Sequence, residues 1–531
     1  MPLSIASLIR HADRHHGGVQ IVSRGAEGDL HTTTYRELHR RARRLANALA
    51  SLGIAPGDRV ATLAWNGYRH LELYFAVSGF GAVLHTINPR LHPDQIGWIA
   101  RHAQDQALFF DPCFAALAQS VRQAAPLVRQ FVAMTDRDRM AGAGAPALCY
   151  EDLVQAHSDE FDWPALDETC ASSMCYTSGT TGDPKGVLYS HRSTVLHALG
   201  SALPDALNLS LRDTVLPAVP MFHVNAWGFP YSAPMVGARL VLPGPRLDGR
   251  SLYELFEAEA VTVSAGVPTV WQGLLAHLEA NRLELSTLRR VIVGGAACPP
   301  LLLQALQERG VQVLHEWGMT ETSPLATVTS LRASQLKQSP AEQRAIQCRQ
   351  GRALYPLDIK VVDERGQELP WDGRSSGDLM VRGPWVASGY FQVGPTLRDG
   401  WFPTGDVANI DPDGVMRITD RSKDVIKSGG EWISSIELEN IALSHPAVAA
   451  AACISVPHPR WDERPLLVAV CKGGQSVTRD ELLGHFAGKV ARWQVPDDVV
   501  FVDAIPLGAT GKMLKGPLRE RFRDHRWPAG R

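Results

Sequence analysis

The sequence predicts an α/β protein with a large N-terminal domain, a small β-rich subdomain and a smaller C-terminal α+β domain. Three observations support this fold class. The chain has 531 residues, which is too long for one compact core. Its first 300 or so residues alternate helical and strand-like patterns, and the pattern changes to short strands with Gly and Pro turns after Pro356.

The alternation in the N-terminal part indicates parallel sheets covered by helices. Leu38, Leu45 and Leu49 fall on one helical face, and Gly53 follows as a stop signal. Residues 72–80 also have a helical pattern. The predicted strands, which read as short buried apolar runs, cover residues 58–63, 107–110, 171–175, 240–242, 261–263 and 291–293.

The chain changes character twice after Leu331. A polar stretch up to Arg352 predicts a surface helix with loops, and Pro356 to Ile418 predicts the β-rich subdomain. A charged segment then precedes a new α/β unit. We therefore expect an N-terminal domain of residues 1–420, a hinge of residues 421–423 and a mobile C-terminal domain of residues 424–531.

Composition narrows the function classes. The net charge of −2 gives no basic footprint for nucleic acid. Eight cysteines without a C-x-x-C pair are typical of reduced thiols in a cytoplasmic protein. The N-terminus lacks a signal-peptide pattern, and no apolar run approaches the length of a transmembrane segment. The expectation is a cytoplasmic enzyme.

A glycine-rich loop is the strongest local motif. It follows the predicted strand 171–175, and its three glycines allow close approach of backbone N–H groups to a ligand. Its hydroxyls and its lysine suit phosphate oxygens. No G-x-x-x-x-G-K-[ST] pattern runs through it, so an ordinary P-loop NTPase is disfavoured. The candidate phosphate-binding residues are Thr177, Ser178, Gly179, Thr180, Thr181, Gly182 and Lys185.

The stretch Tyr176 to Gly186 closely resembles the signature of the adenylate-forming superfamily, which includes acyl-CoA synthetases, peptide-synthetase adenylation domains and firefly-type luciferases. Further motifs of that superfamily follow in order across nearly the whole chain. The resemblance implies an acyl-CoA synthetase-like fold, with ATP and coenzyme A as co-substrates and Mg²⁺ as the metal.

Two segments resemble the parts of the family that border the acid. The first is Met221 to Gly228, where the resemblance implies that His223 faces both acid and ATP and that Trp227 matches a gate to the acyl tunnel. The second, Val293 to Ala297, borders adenine and the acyl group in the family. The implied acid contacts are His223, Asn225, Trp227, Gly228, Gly294 and Ala296, with Val224 and Gly295 on the nucleotide side.

The segment His315 to Ser323 resembles the family motif in which an aromatic ring stacks on adenine. Trp317 would take that role where Tyr is more usual, Thr320 would contact phosphate, and Glu321 would hold Mg²⁺ together with Thr177. One carboxylate suffices, because Mg²⁺ takes few protein ligands beside substrate phosphates. The nucleotide contacts implied in this segment are His315, Glu316, Trp317, Gly318 and Thr320.

The remaining motifs lie near the domain boundary and the C-terminus. Asp406 resembles the ribose-binding acid, whose carboxylate can accept hydrogen bonds from both hydroxyls of a diol. Lys512 matches the lysine of the adenylation step, although Leu507 stands where the family usually has Arg. The other implied contacts are Arg421 for ribose or phosphate, Lys423 as the hinge, and Lys427, Gly429, Gly430 and Trp432 for the loop that meets nucleotide and CoA.

The resemblance predicts an acid–CoA ligase in which Lys512, Glu321 and His223 carry the catalysis. Along its length the chain looks most like medium- or long-chain fatty acyl-CoA synthetases, with a (methylthio)propionate–CoA ligase as a short-chain alternative. A fatty substrate would be compatible with peripheral membrane contact, and relatives suggest a homodimer. An adenylation domain, a luciferase-like oxygenase and a non-enzymatic AMP-binding sensor are the other readings. The first lacks an acidic residue around His223 for a substrate amine, and nothing in the sequence demands the second. The presence of both Glu321 and Lys512 argues against the third.

Overall fold

The fold is described from a computed structural model. The structure describes residues 2–26, 28–144, 146–177, 183–428, 431–458, 460–508 and 513–528.

One sheet of the large domain carries the strand that leads into the glycine-rich loop. Its strands are parallel except for the last pair, Ala171–Thr177 with Lys185–Ser190, which is antiparallel. In spatial order the strands are Leu148–Cys149, Gln130–Ala133, Asp105–Phe110, Arg59–Leu63, Val83–Thr86, Ala171–Thr177 and Lys185–Ser190.

The second large sheet carries the candidate acid and adenine segments. It is parallel in its centre and antiparallel at both edges. In spatial order the strands are Arg352–Ala353, Leu325–Val328, Gln312–Gly318, Arg290–Val293, Val263–Gly266, Thr214–Pro217, Arg239–Leu242, Gln20–Arg24 and Leu30–Thr34.

Helices cover both sheets, as the alternating pattern predicts. The helix Tyr35–Ser51 begins where the Thr34 hydroxyl accepts the Glu37 N–H at 3.3 Å, and it is followed by Gly53 with a positive φ. The other helices of this domain are Ile5–His16, Tyr68–Phe80, Pro93–Ala103, Ala115–Ala124, Tyr150–Gln155, His191–Ala202, Phe229–Val236, Gly249–Ala258, Pro268–Asn281, Pro300–Gln307 and Pro340–Gln347.

The largest apolar cluster joins the two sheets. It contains Tyr74 and Phe75 from the helix Tyr68–Phe80, which is buried nearly all round, together with Ile292 and Leu314 from the second sheet. Val291, Val293 and Val313 lie on the opposite face of that sheet, in a separate cluster. The alternation of side chains along each strand therefore decides which residues face the space between the sheets.

The β-rich subdomain and the C-terminal domain form separate antiparallel-rich sheets. The subdomain sheet consists of Asp358–Val362, Gly377–Arg382, Phe402–Ile410 and Met416–Arg421, with a short ribbon of Gly389–Tyr390 and Gly394–Pro395 beside it. The C-terminal domain has strands Ile426–Ser428, Glu431–Ile433, Val448–His458, Asp462–Cys471 and Asp498–Phe501, and helices Ser435–Leu443, Arg479–Gly484 and Lys515–Arg521.

The predicted fold class is confirmed, with parallel-rich sheets, a β-rich subdomain and a smaller α+β unit at the C-terminus. One strand prediction is displaced. Val261 is buried, but the strand predicted at residues 261–263 runs instead from Val263 to Gly266, because Val263 is the first of its residues to pair with Arg290 and Val215. Of the helices in the described residues, none combines the length and the apolar character needed to cross a bilayer.

Candidate active site

The segments predicted to bind adenine and ribose and the segment predicted as the hinge meet at the carboxylate of Asp406. The indole N–H of Trp317 donates to Oδ2 of Asp406 at 2.9 Å, and Nε of Arg421 donates to Oδ1 at 3.2 Å. Asp406 pairs with Arg421 across two neighbouring strands of the subdomain sheet, which fixes the second contact. Three separate segments, around residues 317, 406 and 421, therefore form one connected wall.

A second group of contacts joins Glu321 to the strand that follows the glycine-rich loop. The hydroxyl of Tyr390 donates to Oε1 of Glu321 at 2.6 Å, and the ammonium of Lys185 lies 4.9 Å from the centre of the Tyr390 ring. The Tyr189 hydroxyl donates to the main-chain oxygen of Thr320 at 2.7 Å. The side chain of Tyr390 therefore contacts both the carboxylate of Glu321 and the ammonium of Lys185.

These residues fit a hard divalent cation. Glu321 is buried, and it belongs to the 3-10 turn Thr320–Thr322, which packs against the strand ending at Thr177. A carboxylate and a hydroxyl are oxygen donors of the kind that Mg²⁺ prefers. Within the described ranges, no group of three or more His, Cys, Asp or Glu side chains forms a metal cage.

Several predicted contacts lie outside the described residues. These are Ser178, Gly179, Thr180, Thr181 and Gly182 of the glycine-rich loop, Gly429 and Gly430, and Lys512. The residues that flank Lys512 are described: Leu507 and Met513 pair as an antiparallel bridge.

The segment after His223 has an unusual backbone. Val224, Asn225, Ala226 and Trp227 all have φ between +46° and +55°, and Gly228 continues the left-handed course at +83°. The left-handed conformation costs about 1–2 kcal/mol for each non-glycine residue. Because such strain persists only where the surroundings enforce it, this left-handed turn is a candidate functional segment.

Asn225 anchors the left-handed turn to the strand that carries the glycine-rich loop. Its amide donates to the hydroxyl of Ser173 at 3.1 Å, and its carbonyl oxygen accepts from Tyr74 at 3.5 Å and from the thiol of Cys175 at 3.6 Å. Asn also tolerates the left-handed region better than most residues. Trp227 is 7% exposed within the cluster between the sheets.

The structure explains why glycine occurs at two positions after the strand Arg290–Val293. Gly295 has φ of +74°, which favours glycine. A Cβ on Gly294 would lie 2.6 Å from both Cγ and Oε1 of Glu316, so only glycine leaves room for that side chain. Ala296 is exposed beside them. Burial raises the pKa of Glu316 to about 8.

The imidazole of His315, a predicted nucleotide contact, is bonded to main-chain groups through both ring nitrogens. Its Nδ1 lies 3.0 Å from the carbonyl oxygen of Cys348, and its Nε2 accepts the N–H of Cys298 at 3.3 Å. Burial lowers the pKa of His315 to about 4. Because both ring nitrogens are bonded to main chain, the imidazole holds the strand in place. Gly318 and Gly228 likewise serve packing, since a Cβ would collide with Pro324 and His197 respectively.

Comparison with known proteins decides the family. A model described as "AMP-binding enzyme" matches residues 8–391, and "AMP-binding enzyme C-terminal domain" matches residues 437–512.

The chain belongs to the AMP-binding enzyme family.

Relatives of this AMP-binding enzyme include acid–CoA ligases of more than one specificity. The chain is 54% identical to a 3-methylmercaptopropionyl-CoA ligase of Ruegeria lacuscaerulensis, over 98% of each chain. It is 52% identical to a medium-chain-fatty-acid–CoA ligase of Ectopseudomonas oleovorans, over 98% of this chain and 96% of that one. The ATP-bound crystal structure of MatB from Rhodopseudomonas palustris superposes with a TM-score of 0.82 at 26% identity, over 98% and 99% of the chains. The predicted class, an AMP-forming acyl-CoA ligase, is confirmed.

In this AMP-binding enzyme, the residues before and after Lys423 are hydrogen-bonded to different parts of the chain. Ser422 donates through its N–H to Gly405 at 3.0 Å in the β-rich subdomain, whereas Asp424 accepts from Arg519 at 2.6 Å in the C-terminal domain. The N–H of Ser435 also donates to Asp420 at 2.6 Å. A rotation about Lys423 would therefore have to break the Ser435 contact.

The C-terminal domain of the enzyme has a cavity of about 400 Å³ beside the predicted CoA loop. It is lined by Ser428, Glu431, Trp461, Arg464 and Trp493. Both tryptophans are exposed. The guanidinium of Arg460 lies 4.7 Å from the centre of the Trp461 ring.

The sequence did not indicate the contact of Tyr390 with Glu321, the hydrogen bonds of Asn225 or the cavity lined by Trp461 and Trp493. Tyr390 is far from Glu321 in sequence, and the only local signal is a Ser-Gly-Tyr-Phe run in the β-rich subdomain. Trp461 and Trp493 belong to different loops, so only the fold shows that they line one cavity.

Proposed function

We propose that this enzyme is an ATP-dependent ligase that joins a medium- or long-chain fatty acid to coenzyme A through an acyl-adenylate. The observation that carries the proposal is the shared carboxylate of Asp406, to which Trp317 and Arg421 both donate. A ribose diol presented to this carboxylate would bring an adenine ring beside the indole, and it would bring the phosphates toward Lys185 and Glu321.

The adenylation step is a displacement at the α-phosphorus of ATP. A carboxylate oxygen of the acid forms the new bond, and pyrophosphate leaves. Both reactants are anionic, so the protein must neutralise charge that develops in the transition state. Lys185, Lys512 and the N–H groups of the glycine-rich loop would supply that neutralisation, with His223 beside the acid.

Mg²⁺, held by Glu321 with Thr177, would neutralise phosphate charge while bound. Glu321 is prepared for this role because Tyr390 fixes the orientation of its carboxylate. The hydrogen bond also keeps the ring of Tyr390 beside the ammonium of Lys185.

For the second step, the C-terminal domain, residues 424–531, would turn about Lys423. The turn would withdraw Lys512 and bring Gly429, Gly430, Lys427 and Trp432 toward the cleft. The CoA thiol then attacks the acyl carbonyl, and AMP leaves. The exposed rings of Trp461 and Trp493 and the guanidinium of Arg460 suit the adenine and phosphates of CoA, which supports placing its nucleotide in the neighbouring cavity.

A short sulfur-containing acid, (methylthio)propionate, is the alternative substrate. It is favoured by the 54% identity to the Ruegeria enzyme, which is slightly above the 52% identity to the fatty-acid ligase. The proposal also includes a cytoplasmic location, with a homodimer and peripheral membrane contact as further expectations.

The test is a panel of acids from short to long chains, with aryl and methylthio acids, in which AMP release and thioester formation are measured with CoA present. The proposal expects one equivalent of AMP for each thioester formed. ATP that stays intact with every acid of the panel would contradict it.

A further inference from the structure

A buried acidic side chain lies at the boundary between the nucleotide wall and the left-handed turn. Glu316 is 7% exposed and directly precedes Trp317 in the strand Gln312–Gly318. Its carboxyl lies over the backbone of Gly294, where any larger residue would collide with it. The glycine at position 294 thus leaves space for the side chain of Glu316.

The register of the sheet decides which way Glu316 points. Leu314 and Glu316 are two residues apart in one strand and share a face. Leu314 belongs to the cluster between the sheets, which also contains Val224 and Trp227 of the left-handed turn. His315 lies on the other face, bonded to Cys298 and Cys348. Glu316 therefore faces the side of the cleft that carries the predicted acid-binding residues.

The carboxyl of Glu316 has no hydrogen-bond or ion-pair partner among the residues that the structure describes. Burial alone, without a charged neighbour, raises its pKa to about 8. Near neutral pH the group is therefore mostly a neutral carboxylic acid, which has one O–H donor and a carbonyl acceptor to offer. A buried polar group of this kind calls for a partner.

We propose that Glu316 is a specificity-determining residue, whose carboxyl hydrogen-bonds a heteroatom in the chain of the acid substrate. The inference rests on the proposed ligase function and refines its substrate class. It favours acids that carry an ether, thioether, hydroxyl or carbonyl group over purely alkyl acids of the same length. A purely alkyl chain would leave the carboxyl unpaired, and a site built to hydrogen-bond its substrate discriminates against such analogues.

The experiment compares straight-chain acids with acids of equal length in which an ether oxygen replaces one methylene, at successive positions. The kcat/KM for the acid is measured by AMP release at saturating ATP and CoA, and the KM for ATP is measured with each acid. The variants are Glu316→Ala, the near-isosteric Glu316→Gln, and Glu279→Ala as a matched control, since Glu279 is exposed on the helix Pro268–Asn281.

The wild-type enzyme should prefer the ether acid at one position by about tenfold. Glu316→Ala should abolish that preference and raise kcat/KM for the straight-chain acid. Glu316→Gln should keep part of the preference through its N–H donors. Glu279→Ala should match the wild type.

An active wild-type enzyme without preference at any position would overturn the inference while leaving the ligase function intact. A rise in the KM for ATP by the same factor with every acid would also overturn it, because it would place Glu316 at the adenine. Failure of every acid to release AMP would instead contradict the proposed function.

Discussion

On the nucleotide side of the cleft, Asp406 already accepts hydrogen bonds from Trp317 and Arg421, and Glu321 accepts one from Tyr390. On the acid side, the backbone of residues 224–227 is left-handed, and the carboxyl of Glu316 has no partner among the described residues. The first side is preorganised by protein–protein contacts. The second retains backbone strain and a carboxyl group that has no partner among the described residues. We therefore expect the bound acid to supply the missing contact.

We expect this difference to let chains that share a nucleotide site act on different acids. The nucleotide wall depends on a few side chains that bond one another. The acid side depends on a strained turn, which Asn225 anchors, and on the choice of residue at position 316. Variants on the two sides should therefore affect different kinetic constants.

The largest effect is expected at Lys512. Lys512→Ala removes a cation that would stabilise charge in the adenylation transition state, and the loss of one such group costs about 100-fold or more. Acyl-AMP formation should fall by that factor, while thioester formation from supplied acyl-AMP should be largely unchanged. The exposed Lys472→Ala is the control. Equal loss in both half-reactions would contradict the assignment.

Asp406→Asn should damage the nucleotide side selectively. It removes the charge that pairs with Arg421 and weakens the bond from Trp317. Because hydrogen bonds to charged groups contribute about 1.5–3 kcal/mol, kcat/KM for ATP should fall about 10- to 100-fold. The KM for the acid should stay within about twofold of the wild-type value. Steady-state kinetics with each substrate varied separate the two constants.

The control for this prediction is Asp399→Asn, an exposed residue of the β-rich subdomain with a positive φ that Asn accepts. It should leave both constants unchanged. If Asp406→Asn raised the KM for the acid as much as that for ATP, the two sides would not be separable.

Asn225→Ala should damage the acid side selectively. It removes the bonds to Ser173 and Tyr74 that offset the strain of the left-handed turn. We expect a loss of about 1–3 kcal/mol in the free energy of unfolding and a rise of about tenfold in the KM for the acid. Thermal unfolding and acid-dependent kinetics measure the two effects.

Asn208→Ala is the matched control, because Asn208 is an exposed asparagine that also has a positive φ of +52°. A change confined to the KM for ATP in Asn225→Ala would show that the turn serves the nucleotide instead.

The smallest effect concerns pH and Glu316. Its pKa is raised from 4.5 to about 8 by burial. Between pH 4.5 and about 8 the folded protein holds this proton and the unfolded chain does not. The stabilising effect of the bound proton is therefore lost progressively as the pH rises to about 8. Glu316→Gln lacks this titration. The melting temperature of the variant relative to the wild type should therefore increase from pH 5 to pH 8.5.

Burial is the cause of the raised pKa of Glu316, and no charged group among the described residues contributes to it. Gly294 of the neighbouring strand, Trp317 of its own strand and Val328 of the paired strand are uncharged. A difference in melting temperature that is constant across the pH range would contradict the raised pKa.

The sequence predicted the fold class, and it selected residues of the nucleotide wall as candidates, because both steps depend on local patterns. Alternating apolar runs predicted the strands, and Asp406, Trp317 and Glu321 occur in segments that resemble known motifs. The bond between Trp317 and Asp406 was not predictable, since it joins residues 89 positions apart. Tyr390 was missed for the same reason.

The acid side was harder to predict from the sequence. The left-handed turn at Val224–Trp227 has no glycine before Gly228, so Asn225 is its one local sign of positive φ. The imidazole of His315 was assigned to the nucleotide because it belongs to the right motif. Strand alternation places it on the helix-covered face, where main-chain groups occupy both nitrogens, and the motif alone gave no sign of these contacts.

The central claim is that this enzyme forms an acyl-adenylate before CoA takes part. The direct measurement is the exchange of labelled pyrophosphate into ATP in the absence of CoA, with and without acid. The account predicts exchange that requires both the acid and a divalent cation, and that is lost in Lys512→Ala. Exchange that is absent without CoA, or that proceeds equally without acid, would contradict it.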